Sequence, residues 1–152
     1  MPHVPGLRSA YDKAGGLVYF GRMLDKIRLH AAGKLPADYS GNIGSSRPGL
    51  FDARCCRFLG ISYEDLAARV REGGADEEIL AWAREAGVKR TEDDVNVWNR
   101  FMMKIGWRDD RTALLQQRIV EYGLSGKPIE TMFDLFDFDE GRDPAASKPW
   151  MD

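Results

Sequence analysis

Apolar side chains recur every three to four residues between Gly16 and Lys34, and this spacing predicts an amphipathic helix. At about 100° per residue, one broad arc gathers the positions that we expect to be buried, namely Leu17, Phe20, Met23, Leu24, Ile27 and Ala31. A second stripe beside that arc holds polar and basic side chains, namely Tyr19, Arg22, Lys26 and His30. Because Val18 and Leu29 border this stripe, we expect it to line a partly dry groove rather than an open solvated face.

A turn-rich stretch follows, and helical spacing then resumes for the rest of the chain. Gly33 and Pro36 end the first helix, and residues 35–49 contain enough glycine and proline to predict a long loop around it. Further helices are predicted at residues 50–59, 62–73, 76–87, 91–106, 110–123 and 129–138. The predicted N-caps are Ser62, Asp76, Thr91 and Asp110.

These patterns predict an all-α, single-domain helical bundle of about six to seven helices, with no sustained strand. Residues 1–15 lack periodicity and predict an irregular N-terminal arm anchored by Leu7 and Tyr11. Residues 141–152 predict a loose C-terminal tail unless Trp150 is anchored. The last helix also carries four acidic side chains, which we interpret as a solvated face: Asp134, Asp137, Asp139 and Glu140.

Composition narrows the classes of protein to consider. The chain has 152 residues, 43% of them hydrophobic and 30% charged, which is typical of one ordinary globular domain. Its formal net charge of −2 lacks the basic excess of a protein that binds duplex nucleic acid. No apolar run reaches the roughly 18 residues that would span a bilayer, and the N-terminus lacks the apolar segment of a signal peptide. We therefore expect a cytoplasmic protein with no membrane partner.

The positions of the cysteine, histidine and acidic residues give little support for a metal site or a cofactor site. The two cysteines, Cys55 and Cys56, are adjacent, and the only histidines are His3 and His30, so a closed zinc site would need an unusual ligand set. The acidic residues of the last helix lack the spacing of a calcium-binding loop. We expect two reduced thiols and no metal, and the pattern identifies no cofactor.

The second stripe of the first helix suggests the binding of a small anionic molecule. Arginine offers a planar fork to carboxylate or phosphate and lysine a point charge, while tyrosine and histidine add directional donors. The candidate ligand-binding residues are Tyr19, Arg22, Lys26, His30, Arg47 and Arg54. The alternative is that these cations pair with Asp25 or with the C-terminal carboxylates. If the groove is a binding site, Arg22→Ala should abolish ligand binding at nearly unchanged thermal stability.

Two other functions remain open at this stage. A cysteine enzyme would use Cys55 or Cys56 as the nucleophile with His30 as its base, and Asp25 or Asp52 would orient the imidazole. A helical protein-interaction module or homodimer would use the four tryptophans and the segment MFDLFDF as hydrophobic anchors.

Three segments of the sequence also resemble a known family. They are GGLVYFGRMLDKIRLHAAGKLPADY, FDARCCRFLGISYEDL, and VWNRFMMKIGWRD with its spaced tryptophans Trp98 and Trp107. They are similar to the bacterial domain of unknown function numbered 5069, and the similarity extends over nearly the whole chain. The resemblance implies a stand-alone bacterial domain and brings with it no activity, cofactor or catalytic residue.

Overall fold

A computed structural model describes residues 3–146 and has the expected all-α architecture. The helices are α1 (Phe20–Ala31), α2 (Phe51–Leu59), α3 (Tyr63–Arg71), α4 (Asp76–Ala86), α5 (Glu92–Met102), α6 (Thr112–Glu121) and α7 (Met132–Asp139). Short 3₁₀-helices lie at Ala37–Asn42 and Pro144–Ala146. Within this part of the chain, every helix is too short or too polar to cross a membrane. Trp150, the predicted anchor of the tail, lies outside the described residues.

The first helix begins later than predicted because a small hairpin precedes it. Strands β1 (Lys13–Ala14) and β2 (Leu17–Val18) pair antiparallel, and Gly15 and Gly16 form the turn between them. Both glycines have positive φ, at 59° and 82°, which is the geometry that a two-residue hairpin turn requires. The Gly-Gly pair was therefore a turn signal, and reading a helix from Gly16 was wrong.

Helix α1 lies in the middle of the protein and is buried on almost every side. The predicted apolar arc is buried from Leu17 to Ile27, whereas Ala31 is exposed at the C-terminal end. Arg22 and Lys26 of the second stripe are buried as well. The helix thus carries two cations through the core, and the surrounding elements must supply their partners.

Two of the four predicted N-caps are confirmed. The side chains of Ser62 and Thr91 accept hydrogen bonds from backbone N–H groups, and Thr91 forms a capping box with Asp94. Helix α4 has Ala75 at its cap, because Asp76 instead pairs with Arg8 and Arg28 at 2.7 and 2.9 Å. Helix α6 likewise has Arg111 rather than Asp110 at its cap.

The predicted solvated acidic face of α7 is wrong. Asp134 and Asp137 are fully buried, because the N-terminal arm covers them with donors. Tyr11 Oη donates to Asp134 Oδ1 at 2.6 Å, and Ser9 Oγ donates to Asp137 Oδ1 at 2.8 Å. Leu7 and Tyr11 are buried, as expected of anchors. Helical spacing alone predicts that acidic residues face solvent. It cannot predict that a distant segment supplies hydroxyl donors that allow them to be buried.

Asn99 joins α5 to the hairpin and provides a first test of the packing. Its Oδ1 accepts from Val18 N at 3.0 Å and its Nδ2 donates to Gly16 O at 2.8 Å. Asn99→Ala should lower the free energy of unfolding by about 1–3 kcal/mol, since it leaves the buried N–H of Val18 without its partner and removes the bond to the Gly16 carbonyl. Urea denaturation measures this loss. Asn96→Ala, at an exposed position of the same helix, is the matched control and should change stability little.

Asp137 gives the fold a specific pH dependence. Burial is the largest influence on this carboxyl, and although Ser9 and Arg142 oppose it, the pKa of Asp137 rises from 3.8 to about 6. The folded protein therefore keeps this proton to higher pH than the unfolded chain. The resulting stability is present below about pH 4 and lost as the pH rises through 6, a change of up to about 3 kcal/mol.

Urea unfolding at pH 4 to 7.5 tests this dependence with the Asp137→Asn variant. The asparagine has no proton to lose, so the variant should lose up to about 3 kcal/mol less stability than the wild type over this range. The exposed Asp93→Asn variant should keep the wild-type slope. Equal slopes for the wild type and Asp137→Asn would contradict the assignment.

Candidate anion-binding cavity

A cavity of about 280 Å³ lies beside α1. The 3₁₀ segment, the following loop, α6 and α7 provide its other walls. Its apolar lining comes from the start of α2, from α6 and from α7, and includes Phe51, Leu114, Leu135 and Phe136. The polar lining includes the first part of the second stripe of α1, so the groove predicted beside this helix exists as a space.

The structure gathers four of the six candidate residues at this cavity. Tyr19, Arg22, Lys26 and Arg47 line it. His30 does not line it and is exposed, because it lies one turn beyond the buried part of α1. Arg54 lines a different cleft, formed with α5.

Arg22 is engaged by a carboxylate at the end of α7. Its Nη1 and Nη2 donate to Glu140 Oε1 and Oε2 at 2.9 and 2.6 Å, a bidentate pair with both side chains buried. Tyr39 Oη donates to the same carboxylate at 2.6 Å, and Arg142 also binds it. Burial alone would raise the pKa of Glu140, but the Arg22 hydrogen bonds and charge outweigh it and hold that pKa below its ordinary value.

The ammonium group of Lys26 also has a full set of hydrogen-bond partners from the protein. Its Nζ lies 2.8 Å from Tyr19 Oη, 2.9 Å from Asn42 O and 2.8 Å from Asp52 Oδ1. These three oxygens match the three hydrogens of an ammonium group. Burial lowers the pKa of Lys26, and the charge of Asp52 acts in the opposite direction. Lys26 therefore has little donor capacity left for a ligand.

Tyr19 completes this cluster from a strained backbone position. Its Oη donates to Asp52 Oδ1 at 2.7 Å, and burial followed by the charge of Asp52 raises its pKa well above 10, so the phenol stays neutral. Its φ of 70° is rare for a residue with a bulky side chain and costs about 1–3 kcal/mol. The ring packs between Phe51 and Phe133, at centroid distances of 5.7 and 6.1 Å, which holds it in place.

Three arginines of the cavity lack a close carboxylate partner, and two of them come from a region that sequence reasoning missed. Arg111 precedes α6 and Arg118 lies within it, and both line the cavity together with Arg47. Among residues 3–146, no carboxylate lies within 4 Å of Arg47 or Arg111, and Arg118 has only Glu121 at 4.0 Å. The spacing of Arg111, Arg118 and Tyr122, at i, i+7 and i+11, would have revealed a polar stripe on α6.

The other predicted chemistries do not assemble in the described residues. Cys55 and Cys56 are buried, and burial raises the pKa of Cys55 well above its usual value and that of Cys56 to about 12. No hydrogen bond joins either thiol to His30, which is exposed. The loop N–H of Gly44 donates to Asp52 Oδ2 at 2.9 Å and is not free for phosphate. Within residues 3–146, no three His, Cys, Asp or Glu side chains are arranged to hold a metal ion.

A comparison with known protein families assigns the chain to one of them. The family described as "Domain of unknown function (DUF5069)" matches residues 4–142. Since this match covers most of the chain, the protein belongs to that family. A comparison with curated proteins finds no match.

The Arg22–Glu140 pair changes the expected outcome of mutating Arg22. Arg22→Ala would leave Glu140 buried without its main partner, so it should lower the free energy of unfolding by about 3–5 kcal/mol. This reverses the expectation from sequence that stability would hardly change. The double variant Arg22→Met/Glu140→Met removes both charges and should be more stable than Arg22→Ala. Thermal and urea denaturation measure both, and an unchanged melting temperature for Arg22→Ala would contradict the structural role.

Proposed function

We propose that this member of the DUF5069 family binds a small organic anion in the cavity beside α1. The observation that carries the proposal is the contrast between two sets of cations. Arg22 and Lys26, at the floor, are saturated by protein groups, whereas Arg47, Arg111 and Arg118, which we call the rim arginines, have little or no carboxylate compensation. A ligand anion supplies the missing partner.

The charge balance of the cavity supports a negatively charged ligand. Among residues 3–146, five cations line it, and they face Asp139, Glu140 and the Asp52 bound to Lys26. The excess is positive, and the apolar walls make it stronger than the same excess would be in open water. Arginine forks recognise planar or tetrahedral oxyanions through paired N–H groups, so carboxylate and phosphate are the chemical groups that fit.

The apolar walls add a second requirement. Free phosphate loses hydrogen bonds to water when it enters the cavity, and apolar side chains such as Phe51, Leu114 and Leu135 cannot replace them. A volume of about 280 Å³ lies at the small end of ligand pockets. The ligand class that fits is therefore a small amphipathic anion, with the acidic group at the rim arginines and an apolar body against α7.

The rim arginines come from two different parts of the fold, the loop after the 3₁₀ segment and the region of α6. Arg111 and Arg118 are seven residues apart, which is about 10 Å along a helical path, and Arg47 approaches from the loop. Such a spread suits an anion held between the loop and α6 better than one held by α1. The stripe on α1 then acts as a rigid, neutralised floor that positions the loop through Asn42 and Asp52.

Isothermal titration calorimetry with phenyl phosphate, benzoate and inorganic phosphate tests the proposal. Phenyl phosphate and benzoate should bind more tightly than inorganic phosphate. Arg111→Gln/Arg118→Gln should weaken phenyl phosphate by about tenfold or more, since each charge-assisted hydrogen bond contributes about 1.5–3 kcal/mol.

Arg84→Gln is the matched control, because Arg84 is exposed on α4 and does not line the cavity. It should leave the affinity unchanged. Neither change should alter the melting temperature much, since these arginines are not buried in ion pairs. Absence of binding by all three probes, or equal affinity in the double variant, would overturn the proposal.

A further inference from the structure

A second cleft of about 250 Å³ lies between α2 and α5. Arg54, Arg57 and Phe58 line it from α2, and Val97, Trp98 and Phe101 line it from α5. It shares no lining residue with the cavity beside α1. Its features are therefore not explained by the proposed function above.

The walls of this cleft are aromatic and partly uncovered. Phe58 and Trp98 stack with centroids 4.8 Å apart and ring planes 22° from parallel. Phe101 and Val97, one turn apart on α5, are 53% and 61% exposed. Large apolar side chains this exposed on the same side of a helix indicate a surface that meets an apolar group.

The arginines of the cleft lack the partners that such groups usually have. Arg54 holds its guanidinium 5.8 Å from the centre of the Phe101 ring, and its Nε is buried without a hydrogen-bond partner. In the described part of the chain, neither Arg54 nor Arg57 has a carboxylate within 4 Å. Arg57 donates only to the carbonyl oxygen of Pro48, at 2.8 Å.

Neighbouring positive charge makes this deficit worse. Burial and the nearby charges of Arg111 and Arg57 lower the pKa of Arg54, and Asp110 offsets them only in part. Arg54 is thus repelled by Arg57 within the aromatic-walled cleft and by Arg111, which lines the first cavity. An anion placed there relieves the repulsion, and an aromatic body attached to it covers the exposed rings.

We propose that this cleft is a second ligand site, which binds a small aromatic anion: a single ring bearing a carboxylate or phosphate. The acidic group lies at Arg54 and Arg57, and the ring packs against Phe101 and the Phe58–Trp98 stack. The volume matches one ring with its acidic group. A second copy of this chain is a poor occupant, because a symmetric contact here would bring the same arginines of both copies together.

Trp98 provides a spectroscopic reporter inside the cleft. The chain has four tryptophans, so Trp82→Phe/Trp107→Phe/Trp150→Phe leaves Trp98 as the only one. In this background, phenyl phosphate should change the Trp98 fluorescence saturably. Benzyl alcohol has the ring without the charge, and inorganic phosphate has the charge without the ring. Each should bind about tenfold more weakly or worse.

Two variants separate this site from the first cavity. Arg54→Gln should weaken the fluorescence-detected binding of phenyl phosphate by about tenfold, whereas Arg118→Gln, which alters only the first cavity, should leave it unchanged. Phe101→Ala removes an exposed ring with little risk to folding and should also weaken binding several-fold. Melting curves verify that each variant is folded.

Three results would overturn the second site: no saturable change in Trp98 fluorescence, unchanged affinity in both Arg54→Gln and Phe101→Ala, or loss of the signal in Arg118→Gln. The last would assign the ligand to the first cavity alone. The two proposals fail separately, because Arg118 lines only the first cavity and Arg54 only the second: calorimetry on Arg54→Gln with and without Arg118→Gln reports the first cavity alone. If both sites bind, calorimetry on the wild type should give two ligands per chain.

Discussion

The buried pair of Arg22 and Glu140 removes two full charges from water across 118 residues of sequence. Desolvating both is expensive, and the cost is offset only because the contact is bidentate and Tyr39 and Arg142 complete it. The pair fixes α1 to the end of α7 and, through Tyr39, fixes the 3₁₀ segment to both. Those three elements are walls of the cavity, so its shape depends on this one ion pair.

A saturated interior gives the cavity a rigid floor. Lys26, Tyr19 and Asp52 hold one another within 2.8 Å, and Asp52 also holds the loop at Gly44. A network in which every member is satisfied specifies one arrangement, since any shift leaves a buried polar group unpaired. The unusual φ of Tyr19 persists for the same reason. In the function that we propose, ligand recognition is therefore left to Arg47, Arg111 and Arg118, which have little or no carboxylate compensation within residues 3–146.

Local sequence signals were sufficient to predict most of the helices, but they were not sufficient to predict the residues of the candidate site. The apolar period of α1 and the caps at Ser62 and Thr91 depend only on neighbouring residues, and these features were predictable. The burial of Asp134 and Asp137 depends on Ser9 and Tyr11, more than 120 residues away, and no period encodes that contact. The C-terminal carboxylates were named as an alternative partner of the stripe, but the choice of Glu140 for Arg22 needed the three-dimensional arrangement. Arg111 and Arg118 were not predicted as site residues because the spacing within α1 carries no information about which element packs opposite it.

The N-terminal arm has a consequence for how the chain reaches its native state. Ser9 and Tyr11 are bound to α7 over separations of 128 and 123 residues, and the carbonyl oxygen of Leu7 accepts from Arg142. Contacts of such high sequence separation close long loops, and a fold rich in them is expected to form more slowly than one built from local contacts. During synthesis on a ribosome, Ser9 and Tyr11 emerge well before α7, because their partners lie 128 and 123 residues later in the chain. The contacts of the arm with α7 can therefore form only after α7 has been synthesised, whereas the hairpin next to the arm needs no such delay.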